Sequence, residues 1–294
     1  MTTGEKIRKL RTDKMMTQSQ LVGTHITRNM LSRIESDEAN PSLGTLLFLA
    51  SRLGVPAGYL LADENQDKVY AKSFVVEDIK RSFKSGSYAI CRQLCIESEF
   101  VDDEIMMLAA EACFAVAVEE FDKGHLKVSV SYFDEAITFA SETSYYSEHI
   151  KAACCMYFRY MQKFSPNLAS GIIDENSVEY YCAMSNDFCR YIYALDGIAN
   201  SHFSFASEYV KNGDREDPAV LHLGAKIDMH NGNFRLANIK LQQVLTNDRQ
   251  ISRPLLYEVL LSLEECAKST DDFRAAYEYS TTKMDILQKM LADE

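Results

Sequence analysis

Charge is never far away in this chain, and long apolar runs are missing. Runs free of Asp, Glu, Lys and Arg reach thirteen residues at most, as from Ala39 to Ser51. A membrane-spanning helix needs roughly 20 apolar residues, so no span is expected. The first fifteen residues are charged too, with Glu5, Lys6, Arg8, Lys9, Arg11, Asp13 and Lys14. That leaves no apolar core for a secretory signal, and a cytoplasmic location is expected. There is no tryptophan and there are only five prolines among 294 residues. Alternating runs rich in Val, Ile and Thr are also missing, which argues against sheet and for an all-α fold. Eight cysteines and six histidines are present. Neither type falls at metal-ligand spacing: there is no C-x-x-C and no H-E-x-x-H around His222 or His230. Cys91 and Cys95, the adjacent Cys154 and Cys155, and Cys182 with Cys189 read as buried structural thiols in a reducing compartment. No phosphate loop, dinucleotide fingerprint or G-x-S-x-G elbow occurs. No metal, no cofactor and no enzymatic activity are therefore expected.

What charge there is lies unevenly. Residues 1–65 hold eight of the 31 Lys and Arg and seven of the 43 Asp and Glu, leaving 23 against 36 for the rest. The first segment is nearly neutral and the remainder strongly acidic. An acidic body repels a phosphate backbone, so any contact with nucleic acid must come from the N-terminal segment. The polar stretch from Ala62 to Lys68 carries no strong apolar residue, which places a domain boundary there, between 1–66 and 67–294.

Within 1–66 the pattern predicts five helices. The first runs from Glu5 to about Lys14, with Ile7 and Leu10 on one face. Thr17-Gln18-Ser19-Gln20 has the form of a capping box opening the second helix through Val22, and Gly23-Thr24-His25 is a short turn. Thr27 caps the third helix, where Leu31 and Ile34 point inward. At about 100° per residue, Asn29, Ser32 and Arg33 fall opposite, with Arg28 at the edge in the first turn. Arg suits guanine and Asn suits adenine, so Arg28, Asn29 and Arg33 form a chemically sensible base-reading set. Thr17 and Gln18 could hold a phosphate through the amide and free backbone N–H groups. Against this stands the plain reading that any amphipathic helix turns polar residues outward. A fourth helix spans roughly Leu43 to Leu53, ended by Gly54, and Pro56 opens a fifth.

The run Leu10-Arg11, Thr17-Gln18, Leu21, Thr27 to Glu35, Asn40-Pro41-Ser42-Leu43, Leu46, Leu53-Gly54-Val55 and Leu60 resembles the Xre/Cro/phage-repressor family of helix-turn-helix proteins. The resemblance covers about 55 residues and implies a lambda-repressor-like five-helix domain that binds a double-stranded DNA operator. It implies that Gln18 contacts phosphate, that Arg28, Asn29, Ser32 and Arg33 read bases, and that Glu35 is structural. One departure from the family stands out: the Gly usual after that Glu is replaced by Ser36-Asp37.

Residues 67–294 carry a repeating junction. Gly86-Ser87-Tyr88 leads to Cys91 and Cys95, and Gly124-His125-Leu126 leads to Ser129, Phe133 and Ala136. Gly232-Asn233-Phe234 leads to Ala237, Leu241 and Val244, and Asp271-Asp272-Phe273 leads to Ala276 and Ser280. Gly86 and Gly124 are 38 apart, Gly232 and Asp271 39. Each junction is similar to the turn and second helix of a tetratricopeptide repeat, though the first-helix pattern is poor and 164–212 fits loosely. About five degenerate hairpins in a TPR-like right-handed stack are expected, leaving a concave groove. The whole architecture resembles the Rgg/PlcR-type regulators, which implies a homodimer that senses a short signalling peptide; a small molecule or protein partner in the same groove is the alternative. The first helices near 145–164, 176–195 and 217–231 offer Arg159, Asn186, Arg190, His222 and Lys226 for such a ligand, with Tyr193 as a stacking surface. Taken singly, each of these is more simply a solvated surface residue. The aromatics from Tyr145 to Phe205 read mainly as core.

Overall fold

The structure, a computed structural model, describes residues 1–166, 168 and 184–292. Every regular element among the described residues is a helix. None is long and apolar enough to cross a membrane. The chain divides into two compact units, Met1–Asp78 and Ile79–Glu294.

The first unit contains α1 (Thr3–Asp13), α2 (Gln18–Val22), α3 (Arg28–Glu35), α4 (Leu43–Leu53), α5 (Ala57–Leu61) and most of α6 (Glu64–Lys84). Side-chain caps set the starts: Thr2, Thr17, Thr27 and Ser42 each accept from the backbone N–H three residues on. A cap of this kind is worth about 1 kcal/mol. Thr2 and Glu5 form a capping box, which starts α1 earlier than its apolar pattern suggested. The stops are residues of left-handed backbone, Met15, Asp37 and Gly54. Asp37 takes a left-handed position after α3, and its carboxylate accepts from Thr2 Oγ1 at 2.6 Å and Gly4 N at 3.2 Å. Ile7, Leu21, Leu31, Ile34, Leu46, Leu49 and Leu53 close one core. Gly4 lies directly against the Ile34 carbonyl, where no side chain fits.

A buried lysine corrects the expected boundary at 66. Lys6 is 1% exposed, and its ammonium donates to the carbonyls of Tyr59 (3.1 Å) and Ala62 (2.7 Å) and to the Asp67 carboxylate. The polar stretch 62–68 is thus the partner of a charge buried in α1. Tyr70 and Phe74 of α6 pack edge-on against Tyr59. Polarity there marks a satisfied buried ion, and the division falls after Asp78 instead.

The second unit holds the end of α6, then α7 (Tyr88–Glu97), α8 (Asp103–Lys123), α9 (Leu126–Glu142), α10 (Glu148–Met161), α11 (Asp187–Ala199), α12 (Ser204–Asn212), α13 (Pro218–His230), α14 (Phe234–Thr246), α15 (Arg253–Ser269) and α16 (Phe273–Leu291). Helices pair in sequence: α8 with α9, α11 with α12, α13 with α14 and α15 with α16. The four junctions that the sequence marked all turn on a left-handed residue: Gly86, Gly124, Gly232 and Asp271. Ser201, between α11 and α12, is a fifth. In each, the next residue's N–H reaches back five positions: Ser87 to Ser82 (3.0 Å), His125 to Glu120 (2.9 Å), His202 to Gly197 (2.7 Å), Asn233 to Asp228 (2.8 Å) and Asp272 to Ala267 (2.9 Å). That is the Schellman closure, which satisfies carbonyls otherwise left open at a helix end. Five residues beyond each turn residue stands a small buried one: Cys91, Ser129, Ala206, Ala237 and Ala276.

Phe121, Phe133, Tyr157 and Phe188 form an aromatic centre with ring centroids 4.7 to 4.9 Å apart. The described cysteines are free thiols, buried except for half-buried Cys155. Cys182 lies outside the described residues.

His222 is a further correction. It was expected on the ligand-facing surface but is fully buried. Nδ1 meets the Tyr191 hydroxyl at 2.9 Å and Nε2 the Ser262 hydroxyl at 3.0 Å, tying α11, α13 and α15. Its position on the inner face of α13 leaves both ring nitrogens committed to core partners. Burial, aided by Lys226, lowers its pKa to about 3. The folded protein therefore keeps His222 neutral where the unfolded chain, below about 6.5, binds a proton. This contribution to stability is full above pH 6.5 and is lost as pH falls from there toward 3. Denaturant titrations between pH 7 and pH 5 should show wild type losing up to about 1.4 kcal/mol per pH unit more than His222→Gln. Equal slopes would refute the neutral buried imidazole.

Candidate functional site

Helix α3 shows two faces. Leu31, Ile34 and Glu35 are buried, while Thr27, Arg28, Asn29, Ser32 and Arg33 are exposed. On a helical wheel the exposed four from Arg28 to Arg33 span an arc of about 140°. They present two guanidiniums, an amide and a hydroxyl, all donors that suit base edges and phosphates. Arg33 has one exposed acidic neighbour, Glu38, at 3.9 Å.

Behind this face lies a chain of charge-assisted hydrogen bonds. Arg11 on α1 grips the Glu35 carboxylate with two donors, Nε at 2.7 Å and a terminal nitrogen at 3.0 Å. Its other terminal nitrogen donates to the Met16 carbonyl at 2.9 Å. Gln18 at the start of α2 donates its amide to Glu35 at 2.8 Å. Gln18 Oε1 in turn accepts from Arg28 Nε at 3.4 Å. So Glu35, 7% exposed, fixes α1, α2 and α3 at one point and steadies the first residue of the exposed arc. The expected phosphate contact of Gln18 is modified accordingly: its amide nitrogen and oxygen each have an internal partner. Thr17 is exposed, with its hydroxyl and backbone engaged in the α2 capping box.

The residues expected to hold a ligand do not converge on one place. Arg159 and Tyr193 share a cavity of about 290 Å³ with Asp196, His202 and Phe205. Arg190 lines another, of about 350 Å³, where its guanidinium lies 5.2 Å from the Tyr209 ring centroid and 3.4 Å from Asp187. Asn186 caps α11, its Oδ1 accepting from Cys189 N at 3.0 Å. Its helix begins at Asp187 among the described residues; the expected stretch 176–183 lies outside them. Lys226 lines a third cavity.

That third cavity, about 480 Å³, is the one built by successive first helices. Lys163 and Phe164 follow α10; Leu195 and Asp196 come from α11, Lys226 and His230 from α13, Tyr257, Glu258, Leu261 and Glu265 from α15. Ion pairs bridge neighbours across it, Lys163 to Asp196 at 3.4 Å and Lys226 to Glu265 at 3.5 Å. The Glu258 carboxyl is raised by burial, an effect that Lys163, the Tyr160 hydroxyl and Lys226 oppose. Of these charged residues, only Lys226 was expected from the sequence. Lys226 and Glu265 each stand six positions before a left-handed turn residue, Gly232 and Asp271. Aligning the turns would have revealed the shared face.

The Helix-turn-helix family matches residues 7–60, from the second turn of α1 to nearly the end of α5. Residues 7–60 are a helix-turn-helix domain. The immunity repressor protein of Bacillus phage phi105 is 37% identical over 65 residues, 22% of this chain. The match covers 45% of that relative, so the chain spans less than half its length. Solved structures similar to the chain include Bacillus thuringiensis PlcR in complex with the peptide PapR7 and DNA. It is 16% identical with a TM-score of 0.28, over 98% of this chain and 96% of that one. Another is ComR from S. thermophilus in complex with DNA and its signalling peptide ComS. It is 15% identical with a TM-score of 0.28, over 97% of this chain and 99% of that one.

The Arg11–Glu35–Gln18 cluster gives a stability prediction for the helix-turn-helix domain. Removing one partner of a nearly buried ion pair leaves an uncompensated charge, at a cost of about 3 kcal/mol. Arg11→Met should lower domain stability by that order in urea unfolding followed by circular dichroism. The double change Arg11→Met with Glu35→Leu should recover much of it, and a single variant as stable as wild type would contradict the role given to the pair.

Proposed function

We propose that this chain is a DNA-binding transcriptional regulator that acts as a homodimer and senses a short peptide. The observation that carries the first part is the exposed arc Arg28, Asn29, Ser32 and Arg33 on the third helix of a helix-turn-helix domain. In such domains that helix enters the major groove. The relative in phage phi105 bears the name of a repressor, which supports the same reading. The acidic second unit fits a body that stays clear of phosphates, leaving the contact to the first. On this reading the chain is not an enzyme and works in the cytoplasm. The target is a double-stranded operator, read by base contacts from Arg28, Asn29 and Arg33, with Thr17, Gln18, Thr27 and Ser32 at the phosphates or the groove edge.

A single domain of this size binds weakly, and helix-turn-helix proteins pair on half-sites about one helical turn apart. The last helix offers a surface for pairing. Phe273, Tyr277 and Met284 of α16 are 68%, 74% and 46% exposed and follow one helical stripe. Solvated apolar residues at this spacing suit a second copy of the chain. Peptide sensing is supported by the 480 Å³ cavity along the first helices, with charged groups on several helices and apolar walls between. The smaller cavity of Arg159 and Tyr193 favours a second reading, a small-molecule effector.

Two measurements test these assignments. After an operator is selected from random duplex DNA, Arg28→Ala should lose about 1–3 kcal/mol of binding and relax preference at one base pair. Binding as tight as wild type at matched salt would remove Arg28 from the groove. Light scattering of the full chain should give twice the 33.4 kDa monomer mass. Tyr277→Asp with Met284→Asp should return it to monomer; an unchanged dimer would move the interface away from α16.

A further inference from the structure

The cavity along α10, α11, α13 and α15 has an imbalance of charge that points to its ligand. Its two lysines already face acids across the helix gaps, Lys163 opposite Asp196 and Lys226 opposite Glu265. Glu258, on α15 in the same lining, makes no ion pair among the described residues; the Tyr160 hydroxyl donates to the Pro254 carbonyl at 3.4 Å. The lining thus holds three carboxylates against two ammoniums, inside a unit that is itself strongly acidic. An anionic group entering here must displace an existing ion pair and work against the field of the whole unit. A cationic group meets a carboxylate that no lysine or arginine contacts directly, in a partly buried setting where a charge-assisted hydrogen bond is stronger than in water.

We propose that Glu258 receives a positively charged group of the ligand, the ammonium of a peptide N-terminus or a lysine, or an arginine guanidinium. This rests on the peptide-sensing reading above and adds to it the charge of the peptide. Lys163 and Lys226, each held by its own acid, leave Glu258 to the cation, and the rest of the peptide meets Phe164, Tyr257 and Leu261. Arg159, Asn186 and Arg190 lie outside this cavity's lining and contribute nothing to the charge selection.

The test uses the full chain and synthetic pools of random octapeptides, with bound peptides identified by mass spectrometry. Four pools combine a free or acetylated N-terminus with the presence or absence of Lys and Arg. Wild type should retain the acetylated pool lacking Lys and Arg roughly tenfold less than the best cationic pool, the size of one charge-assisted contact. Which cationic pool wins tells the N-terminal amine from the side chain. Glu258→Gln, checked for fold by circular dichroism, should lose the preference while still retaining neutral peptides, and Glu265→Gln should keep the preference. Enrichment of acidic peptides, or the same cationic preference in Glu258→Gln, overturns the assignment of Glu258 while leaving peptide sensing in place. If wild type retains no peptide from any pool, the peptide reading itself falls and this assignment with it.

Discussion

A helix that ends must do something with its last carbonyls, and in this protein one answer recurs throughout. A residue in the left-handed region follows the helix, and the next N–H folds back over the final turn. Gly54 and Asp37 do this around the helix-turn-helix domain, and Gly86, Gly124, Ser201, Gly232 and Asp271 do it along the second unit. The closure reverses the chain within a few residues and fixes the rotation at which the next helix starts. Small buried residues five positions later, such as Ala206, Ala237 and Ala276, then let the paired helices approach. Because each turn repeats the same geometry, first helices line up on one side, and the cavity of Lys163, Lys226 and Glu258 exists only because they do.

Onto this frame the protein places a few buried polar groups, each fully engaged. Lys6 satisfies the carbonyls of Tyr59 and Ala62 and pairs with Asp67. Glu35 collects Arg11 and Gln18. His222 joins Tyr191 to Ser262. Apolar packing alone tolerates small rotations of one helix against another, whereas a buried charge with fixed partners does not. Such rigidity is useful where function depends on direction. On the proposed function, the arc from Arg28 to Arg33 presents its donors at a set angle to a groove, and Glu35, buried on the same helix, holds that helix against α1 and α2.

Much of the first unit was legible in the sequence. Thr17, Thr27 and Ser42 are local caps, and Leu31 with Ile34 at helical spacing fixes which side of α3 is inside; both follow from nearest neighbours along the chain. The repeat turns were legible for the same reason, since a Schellman closure is written within about six residues. Ser201 escaped notice because serine rarely takes the left-handed position and its neighbours lack the glycine signal. The stretch 62–68 misled, because polar residues that serve a buried lysine look the same in sequence as polar residues that serve water.

From sequence alone came the helical class, the two-part organisation, the arc of Arg28, Asn29, Ser32 and Arg33, and the rhythm of the hairpins. All of these rest on periodicity and on contacts between residues close in the chain. Tertiary structure decided where one unit ends, that His222 belongs to the core, and which charges share a cavity. Lys6 and Asp67 are 61 residues apart, His222 and Ser262 40, Lys163 and Asp196 33. Over such separations the partner of a polar side chain is set by how helices stack, and local pattern carries no record of it.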